Sequence, residues 1–312
     1  MTMFWITGAR GFIGRHLARR LVAAGHRVAG LGHGAWAADE AAAWGVSHWI
    51  EGDVDVDNLA RMQATLGGPG GVFHLAGGSS VGAALVDPLG DYRRTVDSTA
   101  DLLEWMRRDA PAVPMVAVSS AAVYGAGHAG PIAEDAVLAP YSPYGAHKFM
   151  MEELCRSYAA TYGLSIALPR LFSVFGPELR KQLLWDTCSK LAAQGEVELG
   201  GSGEELRDWT SIGDTVAVLE RLIVSADACA TVVNVATGRP LPVRKVTAML
   251  ARCWSPASPP PIRFNGHSRP GDPPSLCADV GRLNAMGLSC DAPVVDEIAG
   301  YVAWFRSAKD RA

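Results

Sequence analysis

The first half of the chain alternates short apolar runs with amphipathic stretches. Met3-Phe-Trp-Ile-Thr7 predicts a buried strand. Residues 12–24 predict a helix, because Ile13, Leu17 and Leu21 recur at i, i+4 and i+8 and share one face. Gly25-His26 ends it, and residues 27–31 form a second strand. Residues 71–76 and 114–119 give two more apolar strands, with a helix predicted over residues 95–108 between them. After Arg170 the regularity weakens. Residues 183–194 predict a helix, residues 197–205 a hairpin around Gly200-Gly201-Ser202-Gly203, and residues 232–236 a further strand. The Pro/Ser-rich stretch at residues 255–261 is a loop.

Strand–helix–strand alternation of this kind implies a parallel sheet with right-handed crossovers. The expected class is α/β: a Rossmann-like, doubly wound parallel sheet with a smaller C-terminal substrate-binding domain. Residues 1–170 are assigned to the dinucleotide-binding part, with a returning segment near residues 205–240. Residues 171–312 are assigned mainly to the substrate-binding part.

Gly8-Ala-Arg10-Gly11-Phe12-Ile13-Gly14 lies between the first strand and the first helix. Gly8 permits a tight turn, Gly11 a close approach of backbone N–H groups to a pyrophosphate, and Gly14 close helix–strand packing. The helix N-terminus then presents its unpaired N–H groups to the phosphates. NAD-binding folds place a carboxylate at the end of the second strand to hold the ribose hydroxyls. Here the sequence runs Ala29-Gly-Leu-Gly-His33-Gly-Ala-Trp36, with no carboxylate before Asp39. Without that repulsion against a 2′-phosphate, NADP(H) is slightly favoured over NAD(H), with His33 and Arg10 near the phosphate. Asp53, followed by Val54, is placed to accept a hydrogen bond from the adenine amino group. A surface turn and an ordinary loop histidine are the competing readings of Asp53 and His33.

Tyr144-Gly-Ala-His-Lys148 opens a helix predicted over residues 144–162, after Ser142-Pro143. Residues at i and i+4 share a helix face. A lysine ammonium one turn from a phenol lowers the phenol's pKa and holds a nicotinamide ribose. A tyrosine so tuned serves as general acid or base near neutral pH. Ser119-Ser120 ends a strand, where open α/β sheets place their sites. A Ser120 hydroxyl there orients a substrate oxygen.

Composition narrows the alternatives. The chain has 312 residues, 49% of them hydrophobic and 19% charged, with a net charge of -4. No clustered basic face is evident, so nucleic acid is not an expected partner. The six cysteines form no C-x-x-C pair and no cluster with zinc-ligand spacing, so no metal is expected. No leader-like N-terminus and no long apolar run are present, so no membrane association is expected and the cytoplasm is the expected compartment.

These motifs resemble the extended short-chain dehydrogenase/reductases, in the branch of NAD(P)-dependent nucleotide-sugar epimerases, dehydratases and ketoreductases. Thr7–Gly14 resembles the family's T-G-x-x-G-F-I-G, and Ser119-Ser120-Ala-Ala-Val-Tyr-Gly125 its S-S-x-x-V-Y-G. The resemblance implies Ser120, Tyr144 and Lys148 as the catalytic triad. It also implies Ser119 and the segment His74-Leu75-Ala76-Gly77 as cofactor lining, with Ser79 beside the substrate. Further on, Arg170-Leu-Phe-Ser173-Val-Phe-Gly-Pro177 resembles R-x-F-N-x-Y-G-P. Arg207-Asp-Trp209-Thr-Ser-Ile-Gly-Asp214 resembles R-D-[FWY]-[IV]-H-V-x-D, and Asn234-Val-Ala-Thr-Gly238 resembles N-[IV]-G-[TS]-G. Arg269-Pro-Gly-Asp272 followed by Ala278-Asp279 resembles R-x-G-D and A-D. The resemblance implies Arg207 and Arg269 as a clamp on the diphosphate of a nucleotide-diphosphate sugar, which guanidinium forks suit. Ser173, Arg180 and Trp209 are implied beside them. A homodimer is implied by the resemblance alone.

The sequence also departs from the family. Ala121 and Ala122 stand where the 4,6-dehydratases carry acidic residues, which disfavours water elimination. Ser173 replaces the usual Asn, His147 replaces the usual Ser or Thr before the catalytic Lys, and Thr95 stands where Asn is frequent. Two enzyme readings fit. One is a 4-ketoreductase acting on a nucleotide-linked 4-keto-6-deoxysugar, with Tyr144 donating the proton; the other is a 4-epimerase that oxidises and re-reduces the same carbon. A reading of another class is a non-catalytic dinucleotide sensor on the same fold. Such a protein would be free to lose the triad, which this chain keeps.

Overall fold

The computed structural model describes residues 1–194, 197–267 and 273–309. It divides into two compact units. Met1–Gly125, Glu134–Leu171 and Val216–Asn234 form the first; Ala126–Ala133, Phe172–Thr215 and the described residues from Val235 onward form the second.

An eight-stranded sheet organises the first unit. Its strands are β1 (Met3–Thr7), β2 (Arg27–Gly32), β3 (Val46–Glu51), β4 (Gly71–His74), β5 (Met115–Ala117), β6 (Ser119–Ser120), β7 (Ile166–Leu171) and β8 (Thr231–Val235). The order is β8-β7-β5-β4-β1-β2-β3, with β6 also on β7. Strands β1 to β7 pair in parallel, in registers such as Trp5 with Ala29 and Trp5 with Val72. The order turns back on either side of β1 and β4, which makes the carboxyl ends of β1, β4 and β5 a place for ligands. Parallel strands are covered on both faces and read as continuous apolar runs. β7 is buried at every position, Arg170 included.

The crossovers are helical: α1 (Phe12–Ala23), α2 (Ala38–Ala43), α3 (Val56–Leu66), α4 (Val81–Val86), α5 (Pro88–Tyr92), α6 (Ser98–Asp109) and α7 (Pro143–Tyr162). Leu17 and Leu21 of α1 are fully buried, contributing roughly 2 kcal/mol each. Across the sheet Trp5 stacks on Trp105 of α6 with centroids 5.1 Å apart. Trp36 is buried edge-on against Trp49. The predicted helix over residues 95–108 begins later, at Ser98. A single π-turn, Arg93–Asp97, joins α6 to α5. The predicted strand over residues 114–119 is two strands, interrupted at Val118.

In the second unit Ser173–Phe175 runs parallel to Trp209–Ser211. A four-stranded sheet orders Leu241–Pro242, Leu206–Arg207, Ser275–Ala278 and Pro131–Ile132. Helices Gln182–Gln194, Val243–Trp254 and Val294–Lys309 bring Trp185, Trp254 and Phe305 together. The hairpin predicted over residues 197–205 does not form. Val197–Leu199 pairs in parallel with Ile262–Phe264, far along the chain. The glycine-rich segment after it is closed by a side chain instead: the Glu205 carboxylate accepts the N–H groups of Ser202 (2.7 Å) and Gly203 (2.9 Å). Leu206–Arg207 then joins a different sheet. A carboxylate that turns the chain in this way satisfies the loop without any cross-strand pairing.

Candidate active site

The glycine motif forms a cradle at the end of β1. Gly8 has φ +72°, and its N–H donates to Leu31 O at 2.7 Å. A Cβ on Gly14 would lie 2.4 Å from Gly8 O and 2.7 Å from Ala9 Cα, so only glycine lets α1 pack this closely. The N-cap of α1 is Gly11, which has no side chain to bond the first-turn N–H groups. Those donors are left for an anion, so the residues present fit a dinucleotide pyrophosphate. Phe12 and Ile13 are half-buried at the helix start, and Arg10 is exposed.

At the end of β2 the chain reads Gly32-His33-Gly34. A side chain at Gly34 would lie 2.6 Å from Arg10 Nη1, so Arg10 packs directly over this turn. Among the described residues no carboxylate pairs with Arg10. His33 Nε2 and Asp53 Oδ1 are 3.1 Å apart, both exposed, so two residues singled out separately in the sequence meet. Val54 beside them is buried.

Ser120, Tyr144 and Lys148 are all held in the first unit. Ser142 caps α7 by accepting the Gly145 N–H at 3.1 Å, with Pro143 at the first helical position. A Cβ on Gly145 would lie 2.6 Å from Ala122 O. That glycine lets α7 press on the turn Ala121–Val123 after β6 and brings Tyr144 to Ser120. Ser120 Oγ accepts the Ala122 N–H at 3.2 Å, leaving its own proton to donate, and it hydrogen-bonds Tyr144. Burial raises the Tyr144 pKa above its ordinary value; the Ser120 bond opposes that, and the Asp91 charge adds to it. The resting phenol is therefore protonated. Lys148 is buried and donates to Val118 O at 2.8 Å. Burial lowers its pKa from 10.5 to about 8, against the opposing charge of Asp91.

Leu75, Ala76 and Gly77 follow β4, all half-buried, and Ser79 is exposed. The segment is tied to β1 through His74. Thr7 Oγ1 lies 2.8 Å from His74 Nδ1 and accepts the Ala76 N–H at 3.2 Å. His74 Nε2 lies 3.0 Å from Thr99 Oγ1, whose proton goes to Thr95 O at 2.6 Å. Thr99 is already spent as a donor, so Nε2–H donates to it, and in the neutral ring Thr7 then donates to Nδ1. Burial, with the charge of Lys148 behind it, lowers the His74 pKa to about 3, so the ring is neutral.

Ser119, predicted to line the cofactor, instead sends its hydroxyl into the core, donating to Glu152 Oε1 at 2.6 Å. Adjacent strand residues face opposite ways, so Ser120 and Ser119 cannot share one face. Glu152 also receives Arg170 Nε at 2.9 Å and Nη2 at 2.7 Å. Arg170 Nη1 reaches Tyr124 Oη and Glu134 O, both at 2.9 Å. Sequence reasoning missed Glu152 and Asp91. The signal for Glu152 was its place one turn after Lys148 on α7; Asp91 has none visible in one sequence.

In the second unit, Ser173 is half-buried and its N–H donates to Asp208 O at 3.0 Å. Arg207 is half-buried, with Nη1 on Leu206 O at 2.8 Å. The Asp208 carboxylate accepts the N–H groups of Thr237 and Gly238, both at 2.8 Å, so two of the family-like motifs are joined. Trp209 is buried, packs edge-on against Phe175, and gives its indole N–H to Leu241 O at 3.3 Å. It has no donor left for a substrate. Arg180 is exposed, 3.8 Å from Glu178 and over the Trp304 ring. Arg269 lies outside the described residues. Among the described residues no His/Cys/Asp/Glu cluster could hold a metal, and no helix is long and apolar enough to cross a membrane.

The chain matches the model of the NAD dependent epimerase/dehydratase family over residues 4–236. It is 29% identical to the UDP-glucose 4-epimerase of Azospirillum brasilense, over 97% of this chain and 91% of that protein. It is 28% identical to the GDP-6-deoxy-D-mannose reductase of Pseudomonas aeruginosa, over 79% and 78%. The solved structure of MoeE5 in complex with UDP-glucuronic acid and NAD is similar with a TM-score of 0.84 at 29% identity, covering 98% of this chain and 99% of that one. With the family match spanning most of the sheet unit, and the glycine cradle and Ser-Tyr-Lys constellation in place, the chain belongs to the NAD dependent epimerase/dehydratase family and is a nucleotide-sugar enzyme of the extended short-chain dehydrogenase/reductase type.

Proposed function

We propose that the protein is a 4-ketoreductase of a nucleotide-diphosphate 4-keto-6-deoxysugar that takes NADPH from solution. The observation that carries this reading is the end of β2. The strand itself ends without a carboxylate, the Asp53 carboxylate beside it lies against His33 Nε2, and the Arg10 guanidinium packs over Gly34 without an ion-pair partner among the described residues. Arginine suits a phosphate because its donors match the oxygens in pairs. A cofactor held this way exchanges between turnovers, as net reduction requires.

The bound nicotinamide supplies the hydride. Ser120 donates to the keto oxygen and orients it, and Tyr144, protonated in the resting state, delivers its proton as the oxygen gains charge. The product is a hydroxyl, and Tyr144 regains its proton from solvent. Lys148 holds the ribose hydroxyls with its remaining donors, and its charge eases the phenol toward phenolate as the proton leaves. Ala121 and Ala122 offer no carboxyl group for water elimination, which argues against a dehydratase. Arg207 and Arg269 are assigned to the diphosphate, with Ser173 and Arg180 beside them.

A second reading, a 4-epimerase with retained NAD, is favoured by the similarity to a UDP-glucose 4-epimerase. One experiment separates the two. The purified protein is heat-denatured and any released nucleotide identified by mass, then NADPH consumption is followed with nucleotide-linked 4-keto-6-deoxysugars. The expected result is no stoichiometric NAD, with turnover using NADPH in preference to NADH. Stoichiometric NAD would overturn the reductase and promote the epimerase. Tyr144→Phe should lower turnover by about 10²–10⁴-fold while leaving cofactor affinity nearly intact. A wild type that turns over neither keto nor hydroxy sugars would point to a dinucleotide sensor.

A further inference from the structure

A buried acid–base pair lies beside the proposed triad. Asp91 of α5 is 1% exposed, and its Oδ2 is 2.6 Å from His147 Nδ1 on α7. His147 is buried too, with the Tyr92 ring edge-on at 5.5 Å. His147 immediately precedes Lys148, and two consecutive glycines show how near the pair comes to the lysine. A Cβ on Gly77 would lie 3.3 Å from Lys148 Nζ. A Cβ on Gly78 would lie 1.8 Å from Asp91 Oδ1. Ammonium and carboxylate therefore press on the same short strip of backbone after β4, and neither glycine can carry a side chain without displacing one of them.

Lys148 needs such a partner. Among the described residues its one conventional acceptor is the neutral Val118 carbonyl; Met151 Sδ is 3.9 Å away. A buried charge with only a neutral acceptor gives up its proton. The titratable or charged groups that face it come from three elements. β4 supplies His74, which is neutral. α7 supplies Glu152 and Cys155, and carries Tyr144 and His147 as well. α5 supplies Asp91. Two of these are carboxylates. Glu152 is already countered by Arg170 and Arg156 and also receives Ser119. Among the described residues Asp91 pairs with no lysine or arginine, and its side-chain hydrogen-bond partner is a histidine ring.

We propose that Asp91, fixed in place by His147, is a positioning residue that keeps Lys148 protonated in the working pH range and so keeps it able to hold the cofactor ribose. The family's usual Ser or Thr at position 147 carries no ring to fix a carboxylate from α5. The inference rests on the role given to Lys148 above. Its test needs no substrate and is run with NADH as well as NADPH on protein freed of any retained nucleotide, so its failure is distinct from failure of the ketoreductase reading.

The experiment is titration of NADPH and NADH affinity by nucleotide fluorescence between about pH 6 and 10. The wild type should bind more weakly above a midpoint near pH 8, where Lys148 loses its proton, and Lys148→Met should show no such step. Asp91→Asn should move the midpoint down by about one pH unit, giving roughly tenfold weaker binding above it and little change near pH 6. The double variant Asp91→Asn/His147→Gln keeps a hydrogen bond between the two side chains while removing the charge, and should show the same downward shift if the single variant folds poorly. A midpoint unmoved in a folded variant would make Asp91 a packing residue only. A flat wild-type profile would overturn the inference without any variant.

Discussion

Two buried cations sit near the same helix and are treated in opposite ways. Arg170 is 1% exposed and nearly saturated, with four of its five N–H donors matched: two bonds to the Glu152 carboxylate, one to Tyr124 and one to the Glu134 carbonyl. Burial alone would pull its pKa down, but Glu152 and Tyr124 more than reverse this and raise it. Lys148 is 4% exposed, one turn before Glu152 on α7, and has a single carbonyl acceptor. There burial wins, and the pKa falls to about 8. A charge whose donors are nearly all matched holds a structure together. A charge left with unmatched donors costs the fold stability and is kept for something that binds.

The largest expected effect breaks the saturated side. Glu152→Ala leaves the Arg170 guanidinium buried without its carboxylate and should cost about 3–5 kcal/mol in chemical denaturation. Cofactor affinity per folded molecule should change little, because Glu152 faces the core. A loss under about 1 kcal/mol would erase the contrast. The unsaturated side should behave in reverse. The folded pKa of Lys148 lies below its ordinary 10.5, so the unfolded chain binds that proton more tightly. The fold then loses stability as pH falls from 10.5 to about 8 and carries the whole cost at neutral pH. Lys148→Met should therefore stabilise the cofactor-free protein at pH 7, on the order of 2 kcal/mol, while abolishing turnover. Thermal melts with and without NADPH would check both; a destabilised Lys148→Met would show that Lys148 is a structural charge like Arg170.

The same contrast explains what was legible in the sequence. The strand–helix alternation, the glycine cradle and the spacing of Tyr144 and Lys148 are local patterns of period and chain order, and they placed the sheet and its parallel strands. Family-like motifs also predicted Ser119 as cofactor lining and Trp209 as a substrate contact. The Ser119 hydroxyl goes instead to Glu152 and the Trp209 indole N–H to Leu241 O, because strings do not carry which way a side chain points or whether its donor is already taken. The hairpin over residues 197–205 failed for a related reason, since parallel pairing with Ile262–Phe264 joins segments about sixty residues apart. Asp91 was invisible because its meaning depends on α5 packing against α7; Glu152 had a helical spacing to Lys148 as its signal, but its role depends on Arg170, which lies on another element.

His74 provides the smallest and finest test, because it is the saturated site without a charge. Both ring nitrogens are matched, to Thr7 and Thr99. Its folded pKa is lowered from 6.5 to about 3 by burial and by Lys148. The unfolded chain therefore takes up a proton that the folded chain refuses. Stability is intact above pH 6.5 and falls as the pH drops below it, by about 2 kcal/mol at pH 5 from this group alone. His74→Asn removes the titration and should flatten that part of the curve relative to wild type, although the variant is less stable at pH 7 through lost bonds to Thr7 and Thr99. Parallel slopes for the two proteins between pH 7 and 5 would mean that the buried ring accepts a proton after all. The Thr7 bond to Nδ1 would then reverse, with the ring donating and the Thr7 proton left without that acceptor, and the saturation seen around His74 would no longer set it apart from Lys148.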